Sequence, residues 1–112
     1  MPILVVDSSS GSSATSGNAP KYSYALITAT TYTVPATGKF IKADTTSNPI
    51  TITLLTAIGR SGKSMIIKNV GNNIVTILTY SSETIDEEDS MILTDKEDSI
   101  TLMSDGANWH IV

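Results

Sequence analysis

Residues 57–64, Ala-Ile-Gly-Arg-Ser-Gly-Lys-Ser, come close to the pattern of a phosphate-binding loop. Ala57 stands where such a loop has its first glycine, and residues 62–64 (Gly-Lys-Ser) complete the match. Phosphate binding also needs a helix after the loop, because the helix N-terminus and the loop N–H groups together face the phosphates. Residues 65–68 (Met-Ile-Ile-Lys) instead read as a continuing strand, and no apolar strand ending in a magnesium-binding Asp is found elsewhere. The sequence therefore does not predict nucleotide binding.

A run of four acidic residues, Asp-Glu-Glu-Asp at 86–89, carries the hard oxygen ligands that calcium prefers. The run lacks the alternation of carboxylate, glycine and carbonyl groups that wraps one ion, and consecutive side chains of extended backbone point to opposite faces. Carboxylate pairs for glycoside hydrolysis would come from residues 86–97, but such pairs also need a cleft and aromatic rings that stack on the sugar. A solvated turn is the favoured interpretation of the run, with a calcium site as the alternative.

His110 is the single histidine, and the chain has no cysteine. A metal site or a catalytic triad would require carboxylates and a nucleophile to converge on His110 without any local motif. Alternation in residues 108–112 predicts that Trp109 and Ile111 pack inward and that His110 points outward, with the reverse facing as the alternative. No catalytic residue, metal ligand or cofactor is predicted, and the chain is expected not to be an enzyme.

Aromatic side chains are few, and three of the four tyrosines, Tyr22, Tyr24 and Tyr32, lie near the start of the expected domain. A tyrosine presents a large apolar ring with a polar tip, which suits both a subunit interface and a platform that stacks on sugars. We expect these tyrosines, together with Trp109, to anchor an interface. A carbohydrate-binding platform is the alternative.

The bulk composition narrows the function further. The chain has 112 residues, a formal charge of −4 and a pI near 4.6, so it lacks the basic surface of a nucleic-acid-binding protein. The absence of cysteine removes disulfides, thiolate zinc sites and thiol nucleophiles. Residues 3–6 are apolar, but they are far fewer than the roughly 20 residues of a membrane span or the roughly 7 to 15 of a signal-peptide core. Neither nucleic acid nor a membrane is an expected partner.

Residues 1–22 are expected to form a flexible arm in front of a folded domain at 23–112. Residues 8–19 are rich in Ser and Gly and cannot bury apolar surface, so they are predicted to be a linker. An apolar tip precedes the linker and consists of Ile3, Leu4, Val5 and Val6. The extended linker spans about 40 Å, so the tip is expected to add as a strand to the sheet edge of a neighbouring subunit. A frayed terminus is the alternative.

From Tyr24 onward, short runs that alternate apolar and polar residues predict eight or nine strands. The runs are 24–28, 31–34, 39–44, 50–55, 64–70, 74–80, 90–94, 99–104 and 109–112. Residues 71–73 (Gly-Asn-Asn) and 105–106 (Asp-Gly) favour the positive φ of tight hairpins. We expect an all-β fold, an antiparallel β-sandwich, with a jelly roll as one option. Run 74–80 is apolar on both faces, which predicts that another subunit covers its outer face.

Three segments, GKSMIIKNVGNNIVTI, ETIDEEDSMIL and SITLMSDGANWHIV, resemble a β-domain that recurs in structural proteins of tailed bacteriophages. Fibre, spike and head-associated proteins contain this domain, and the resemblance covers roughly residues 38–112. One position departs from the family pattern: the residue after Thr-Ile-Asp is usually small, often Gly, and here it is Glu87. The resemblance implies a β-fold, a structural role in a virion and a homotrimer.

The combined expectation is a non-enzymatic virion protein on the capsid surface. It would decorate the shell as a cement or head-fibre protein and bind the major capsid protein through its arm. The shortness of the chain favours this role, because fibre proteins with this domain are usually much longer. The alternative is a short tail-fibre or receptor-binding subunit that recognises a host glycan through loop tips at 45–49, 81–88 and 105–108. A carbohydrate-binding module outside any virus is a third interpretation.

Overall fold

The computed structural model describes residues 23–37 and 39–112, which form nine β-strands. The strands are β1 (Tyr24–Ile27), β2 (Thr31–Thr33), β3 (Phe40–Ala43), β4 (Ile50–Thr53), β5 (Ser64–Asn69), β6 (Val75–Leu78), β7 (Ser90–Leu93), β8 (Ser99–Ser104) and β9 (Trp109–Ile111). Each strand lies within one of the runs predicted from the sequence, so the all-β prediction is confirmed. The described ranges contain no helix, and hence none of the length and apolarity that crossing a membrane requires.

Strand formation follows from the alternation of side chains along each run. In β4, Ile50 and Ile52 are buried, while Thr51 and Thr53 lie half-buried on the opposite face. Ile and Thr favour extended backbone because their branched Cβ atoms fit the pleated surface of a sheet. The same pattern in β3, β5 and β6 gives both sheets an apolar inner face.

The first six strands alternate between two sheets, so the chain coils from one sheet to the other. Sheet A has the order β1-β3-β5-β8-β9, and sheet B has the order β2-β4-β6-β7. Neighbours among β1, β3 and β5 are parallel, as are neighbours among β2, β4 and β6. We call each turn of this coil a rung: β1 with β2, β3 with β4, and β5 with β6. The other strands pair antiparallel, β7 with β6, β8 with β5 and β9 with β8.

The prediction of an antiparallel sandwich is wrong for the four strand pairs among β1–β6, which are parallel and make both sheets mixed. A jelly roll, which is built from antiparallel strands, is not confirmed either. Alternation tells which side of a strand is buried, but it carries no information about the neighbouring strand or its direction. A parallel pair needs a crossover connection, and here the crossover contains a strand of the opposite sheet.

Buried side chains from both sheets form one core cluster. Its members are Ile27, Val34, Ile41, Ala43, Ile50, Ile52, Leu54, Ala57, Met65, Ile67, Val75, Ile77, Ile85, Leu93, Leu102 and Trp109. Most of them are β-branched or aromatic residues on the inner faces of the strands, so the alternation that makes the strands also makes the core. In β6, Val75 and Ile77 are fully buried while Leu78 on the outer face is 39% exposed. Coverage of that outer face by another subunit stays a prediction.

Connections between the strands lie at two opposite ends of the domain. Loops 28–30, 44–49, 70–74 and 94–98 lie at one end, which we call the Asn69 end. Segments 34–37, 54–63, 79–89 and 105–108 lie at the other, which we call the Trp109 end. This division follows from the strand directions, because β1, β3 and β5 all run toward the Asn69 end and β2, β4 and β6 all run away from it.

The two glycine turns predicted from the sequence differ in the structure. Gly106 has a φ of +96° in the hairpin between β8 and β9, which confirms a tight turn there. Residues 71–73 do not form a hairpin, because β5 and β6 lie in different sheets. Gly71 instead allows a close approach: a Cβ atom on it would lie 2.4 Å from the backbone nitrogen of Thr46. A glycine serves either purpose, and only the contacts of the fold show which.

Residues 1–22 lie outside the described residues, and with them the predicted linker at 8–19 and Tyr22. The predicted tip, Ile3, Leu4, Val5 and Val6, lies outside them as well. The division into an arm and a domain at 23–112 therefore stays a prediction. Ser23, the first described residue, lies at the Trp109 end, where its carbonyl accepts the N–H of Phe40 at 3.0 Å.

Candidate functional site

His110 stands between two carboxylates at the Trp109 end. Its Nε2 atom lies 2.7 Å from Asp105 Oδ2, and its Nδ1 atom lies 3.4 Å from Asp86 Oδ1. The hairpin between β8 and β9 carries Asp105 and His110, whereas Asp86 lies in the turn at 85–88 and also accepts the N–H of Ile111 at 3.3 Å. The three ionisable side chains are each about half exposed. The outward orientation predicted for His110 is confirmed.

Hydrogen bonds set the protonation of this cluster. Asp105 Oδ1 accepts the N–H groups of Asn108 and Ala107, both at 2.8 Å, and these bonds together with His110 lower the pKa of Asp105 to about 2. The hydrogen bond to Asp105 raises the pKa of His110 above its ordinary value of 6.5, and the charge of Asp86 acts in the same direction. Each ring nitrogen of His110 thus faces a carboxylate and not an open site where a substrate proton would bind. The cluster ties the 85–88 turn to the last hairpin.

Replacing His110 with glutamine is expected to lower the melting temperature more at about pH 5 than at about pH 9. Folding raises the pKa of His110, so its stabilising contribution is complete below 6.5 and is lost as the pH rises through the higher folded value. Asp105 acts in the opposite sense, because its contribution is present above the ordinary pKa of 3.8 and is lost as the pH falls through about 2. Thermal melts of both proteins at the two pH values measure the difference. The same difference at both values would contradict the prediction.

The segment that resembles a phosphate-binding loop uses its N–H groups within the domain. Ser64 begins β5, so a strand follows the loop, as the sequence predicted. The N–H of Ala57 donates to Glu83 Oε1 at 2.8 Å, and the N–H of Gly62 donates to the Ser104 carbonyl at 2.8 Å. These two donors hold the loop against loop 79–89 and the end of β8.

Glu83 is a buried carboxylate that sequence reasoning did not single out. It is 8% exposed and accepts hydrogen bonds from the Thr56 hydroxyl and the Ala57 N–H. Ser104 holds the same loop from the other side, because its hydroxyl donates to the Ala57 carbonyl at 2.7 Å. Nothing local distinguishes Glu83 from the acidic residues that follow it. Its burial results from the packing of loop 79–89 against loop 54–63.

The acidic run forms a tight turn. Ile85 and Glu88 exchange backbone hydrogen bonds of 2.6 and 2.8 Å, and Asp86 and Glu87 between them have φ values of +47° and +75°. Positive φ at both central residues is the geometry of a type I′ hairpin turn, which favours Asn-Gly or Asp-Gly. The predicted turn is therefore confirmed. Across residues 23–37 and 39–112, no group of three or more His, Cys, Asp or Glu side chains is placed to hold a metal ion.

Replacing Glu87 with glycine is expected to stabilise the domain by about 0.5 to 1 kcal/mol. A side chain at a φ of +75° is strained by roughly 1 to 2 kcal/mol. Glycine removes that strain but loses about 0.5 to 1 kcal/mol through the greater entropy of the unfolded chain. Glu88→Gly is the matched control, since it removes the same charge where φ is not positive, and it is expected to destabilise. Urea unfolding compares the three proteins, and equal losses in the two variants would refute the strain at Glu87.

The aromatic residues predicted to form an interface occupy different environments. Tyr24 is 56% exposed on the outer face of β1 and contacts Phe40, with ring centroids 5.7 Å apart. Tyr32 points inward and packs against the core. Trp109 is 1% exposed, so its inclusion among the interface residues is corrected: alternation along β9 turns its ring into the core. Tyr22 lies outside the described residues.

A groove of about 120 Å³ lies where β1, β2 and β3 meet the segment after β2. Its walls include the rings of Tyr24, Tyr32 and Phe40 together with Pro35. The fold thus brings together the two described tyrosines of the predicted cluster and adds Phe40, which the sequence did not associate with them. Aromatic rings with a partly polar rim suit contact with another protein chain or with a sugar.

Strand β1 is open along one side. It is the outermost strand of sheet A, and its only strand neighbour among the described residues is β3. In a parallel pair, alternate residues bond to the neighbour, and the carbonyls of Ser23 and Ile27 accept hydrogen bonds from β3 and the residue after it. The N–H and C=O groups of Tyr24 and Leu26 therefore face away from β3. Both side chains are more than half exposed.

Strand β2 is open in the same way at the edge of sheet B. The Thr30 carbonyl and the Val34 N–H bond to β4, so the backbone groups of Thr31 and Thr33 face away from it. Within the described part of the chain, no hydrogen bond reaches these groups or their counterparts in β1. Both strands of the first rung therefore offer unpaired backbone to another strand. Sequence reasoning missed this edge, because the position of a strand in its sheet is not a local property.

The three loop tips suggested for glycan recognition do not form one surface. Loops 81–88 and 105–108 meet at the Trp109 end, where the Thr84 N–H donates to Asn108 Oδ1 at 2.9 Å. Loop 45–49 lies at the Asn69 end, where the Thr45 hydroxyl bonds Asn69 Oδ1 at 2.8 Å. Neither a scan against protein-family models nor a search of curated proteins finds a match for this chain.

Proposed function

We propose that the chain is a non-enzymatic structural subunit of a tailed-phage particle, a two-sheet sandwich that decorates the capsid surface. It assembles as a homotrimer and binds the major capsid protein through residues 1–22. The observation that carries the proposal is the open first rung, because two unpaired edge strands beside an exposed aromatic groove favour pairing with other chains. The resemblance of three segments to a phage β-domain supports the choice of particle.

The use of the polar groups supports a structural role over a catalytic one. Both nitrogens of His110 face carboxylates, and the carboxylate of Glu83 accepts hydrogen bonds from the loop at 56–57. An active site instead leaves a nucleophile or base directed at a cavity. These groups bond to other parts of the same domain, so they add rigidity, which suits a subunit of a shell.

Attachment works through many weak contacts. A trimer presents three arms, and once one arm is bound the others bind as if at high local concentration. Binding to the assembled shell and not to its separated subunits stabilises the shell by mass action. The decorated particle therefore opens at a higher temperature or force than the bare one.

Removing residues 1–20 tests the proposal. The domain is expected to keep its β-sheet circular dichroism while its binding to undecorated particles falls below detection. Occupancy is measured by quantitative gel analysis of sedimented particles, with the full chain as the control. Normal occupancy of particles by the shortened chain would show that the arm is not the attachment element.

The location on the particle tests the rest of the proposal. Immunogold electron microscopy with antibody against the folded domain is expected to label the head. Label confined to the tail would instead support a short tail-fibre or receptor-binding subunit that recognises a host glycan.

The groove formed by Tyr24, Tyr32 and Phe40 favours this second candidate, because exposed aromatic rings stack on sugars. In that case, Tyr24→Ala would abolish binding to a glycan array, whereas Tyr80→Ala, also at an exposed tyrosine, would not.

A further inference from the structure

We propose that Ile3–Val6 of the same chain docks on the open side of β1 as an added parallel strand in the free subunit. The receptor is the row of unpaired backbone groups on Tyr24 and Leu26. The segment thereby extends the coil of sheet A by one strand. The pairing is a property of the free protein, and only its consequence for attachment rests on the proposed function.

Chain length fits this placement. In sheet A, 16 residues separate Tyr24 from its partner Phe40, and 26 separate Phe40 from its partner Ile66. In sheet B, the corresponding separations are 20 and 25 residues. Ile3 precedes Tyr24 by 21 residues, which falls inside this range. A strand at 3–6 therefore has enough chain after it to cross once past sheet B and enter β1 in the direction that the other rungs follow.

The side chains of the segment fit both faces of the sheet. With Ile3 opposite Tyr24, Leu4 lies opposite Ala25 and continues the inner row that Ala25 forms with Ile41 and Ile67. The outer row gains Ile3 beside Tyr24, which is 56% exposed. An added strand buries apolar side chains on both faces, and residues 3–6 are apolar at every position.

The connecting segment permits the same-chain pairing. Residues 8–19 are mainly Ser, Gly, Ala and Thr. Such small residues make a flexible linker, which can close the loop between the tip and β1 without steric clashes. A tethered strand binds as if at high local concentration, so the tip of the same chain reaches its edge before the tip of a second copy does. An edge covered in this way no longer presents a template for aggregation. On a particle, the segment exchanges this edge for one on the shell.

A pair of proline variants tests the pairing in the full chain. In the proposed register, the Leu4 N–H donates to the Tyr24 carbonyl and the Leu26 N–H donates to the Leu4 carbonyl, whereas the Val5 N–H points away from β1. Leu4→Pro therefore removes a donor that the pairing needs. Val5→Pro removes one that it does not need and is the matched control, since proline is tolerated at an edge strand where the N–H faces solvent.

Hydrogen exchange of the Leu26 amide, followed by NMR at low protein concentration, is the measurement. The amide is expected to exchange at least about tenfold faster in Leu4→Pro than in the unmodified chain, with Val5→Pro close to the unmodified chain. Equal exchange in all three proteins would overturn the proposal. Protection that appears only on concentration, together with a dimer in sedimentation, would also overturn it and would assign the strand to a second copy.

Binding to particles is scored separately on the unmodified chain. Failure of this chain to occupy undecorated particles refutes the proposed function whatever the exchange rates are. Occupancy together with a fast-exchanging Leu26 amide refutes only the strand pairing. The two ideas therefore fail independently.

Discussion

Replacing Gly71 with alanine is expected to remove a large part of the domain's stability at room temperature. A Cβ atom on Gly71 would lie 2.4 Å from the Thr46 nitrogen and 2.6 Å from both the carbonyl carbon and the hydroxyl oxygen of Thr45. Two of these three atoms belong to the backbone, and the third belongs to a buried side chain, so none of them moves aside cheaply. We expect a loss above about 4 kcal/mol, against a total stability of about 5 to 15 kcal/mol for a domain.

The environment of Gly71 explains why the clash is not relieved. Thr45 is fully buried, and its hydroxyl bonds both Asn69 Oδ1 and the Asn73 carbonyl at 2.8 Å. The Gly71 N–H donates to the same Asn69 oxygen at 3.1 Å. Moving either loop apart would break this buried network, and buried polar groups left without partners cost about 1 to 3 kcal/mol each. A movement that relieves the clash at Gly71 therefore also breaks the hydrogen-bond network.

Gly62→Ala is the matched control for this prediction. Its Cβ atom would have no neighbour within 4 Å, but its φ of +82° is unfavourable for alanine. The expected loss is about 1 to 2 kcal/mol. Guanidinium unfolding of both variants measures the two losses. If Gly71→Ala unfolded no earlier than Gly62→Ala, the close approach would not be the reason for the glycine.

Replacing Trp109 with alanine is expected to destabilise the domain by about 3 to 5 kcal/mol. Trp109 is the largest fully buried side chain and is 1% exposed, so its loss leaves a cavity lined by the surrounding core. Its indole N–H donates to the Leu55 carbonyl at 3.3 Å, and this carbonyl would lose its partner. Its backbone also holds loop 79–89 against β9, because its N–H donates to the Thr84 carbonyl and its carbonyl accepts the Asp86 N–H.

Tyr80→Ala is the control for the size of the effect, because Tyr80 is an aromatic residue that is 51% exposed. A change of about 0.5 kcal/mol or less is expected there. Thermal and chemical unfolding compares the variants. The signal is far-ultraviolet circular dichroism, because Trp109→Ala lacks the single tryptophan of the chain. A loss at Trp109 no larger than the loss at Tyr80 would contradict the prediction.

The strands were predictable because they depend on neighbouring residues. Whether a residue in extended backbone faces the core is decided by its own apolarity and that of residues two positions away. In β4 and β5 this local rule places Ile52 and Ile67 inside and Thr53 and Lys68 outside, as the structure shows. The same holds for the turn at 105–106 and for the outward direction of His110.

The candidate site was predictable only in part. The sequence marks His110, Asp86 and Asp105 as ionisable, but these residues meet only because β9 pairs with β8 and the 85–88 turn bonds to β9. Glu83 and Gly71 resemble many surface acids and turn glycines, and their burial and close contacts arise from loops that pack together across the fold. The tyrosine cluster acquires Phe40 for the same reason.

The sequence by itself determined the all-β class, the position of the nine strands, the inner face of most of them and the lack of a local catalytic motif. The tertiary structure alone decided that the first six strands coil between two mixed sheets and that β1 and β2 are the edges of the described sheets. The reason is physical: alternation and turn preference act over a few residues. Strand order and direction instead depend on the sum of long-range packing, backbone pairing and loop-closure terms, no one of which is visible in a short window of sequence.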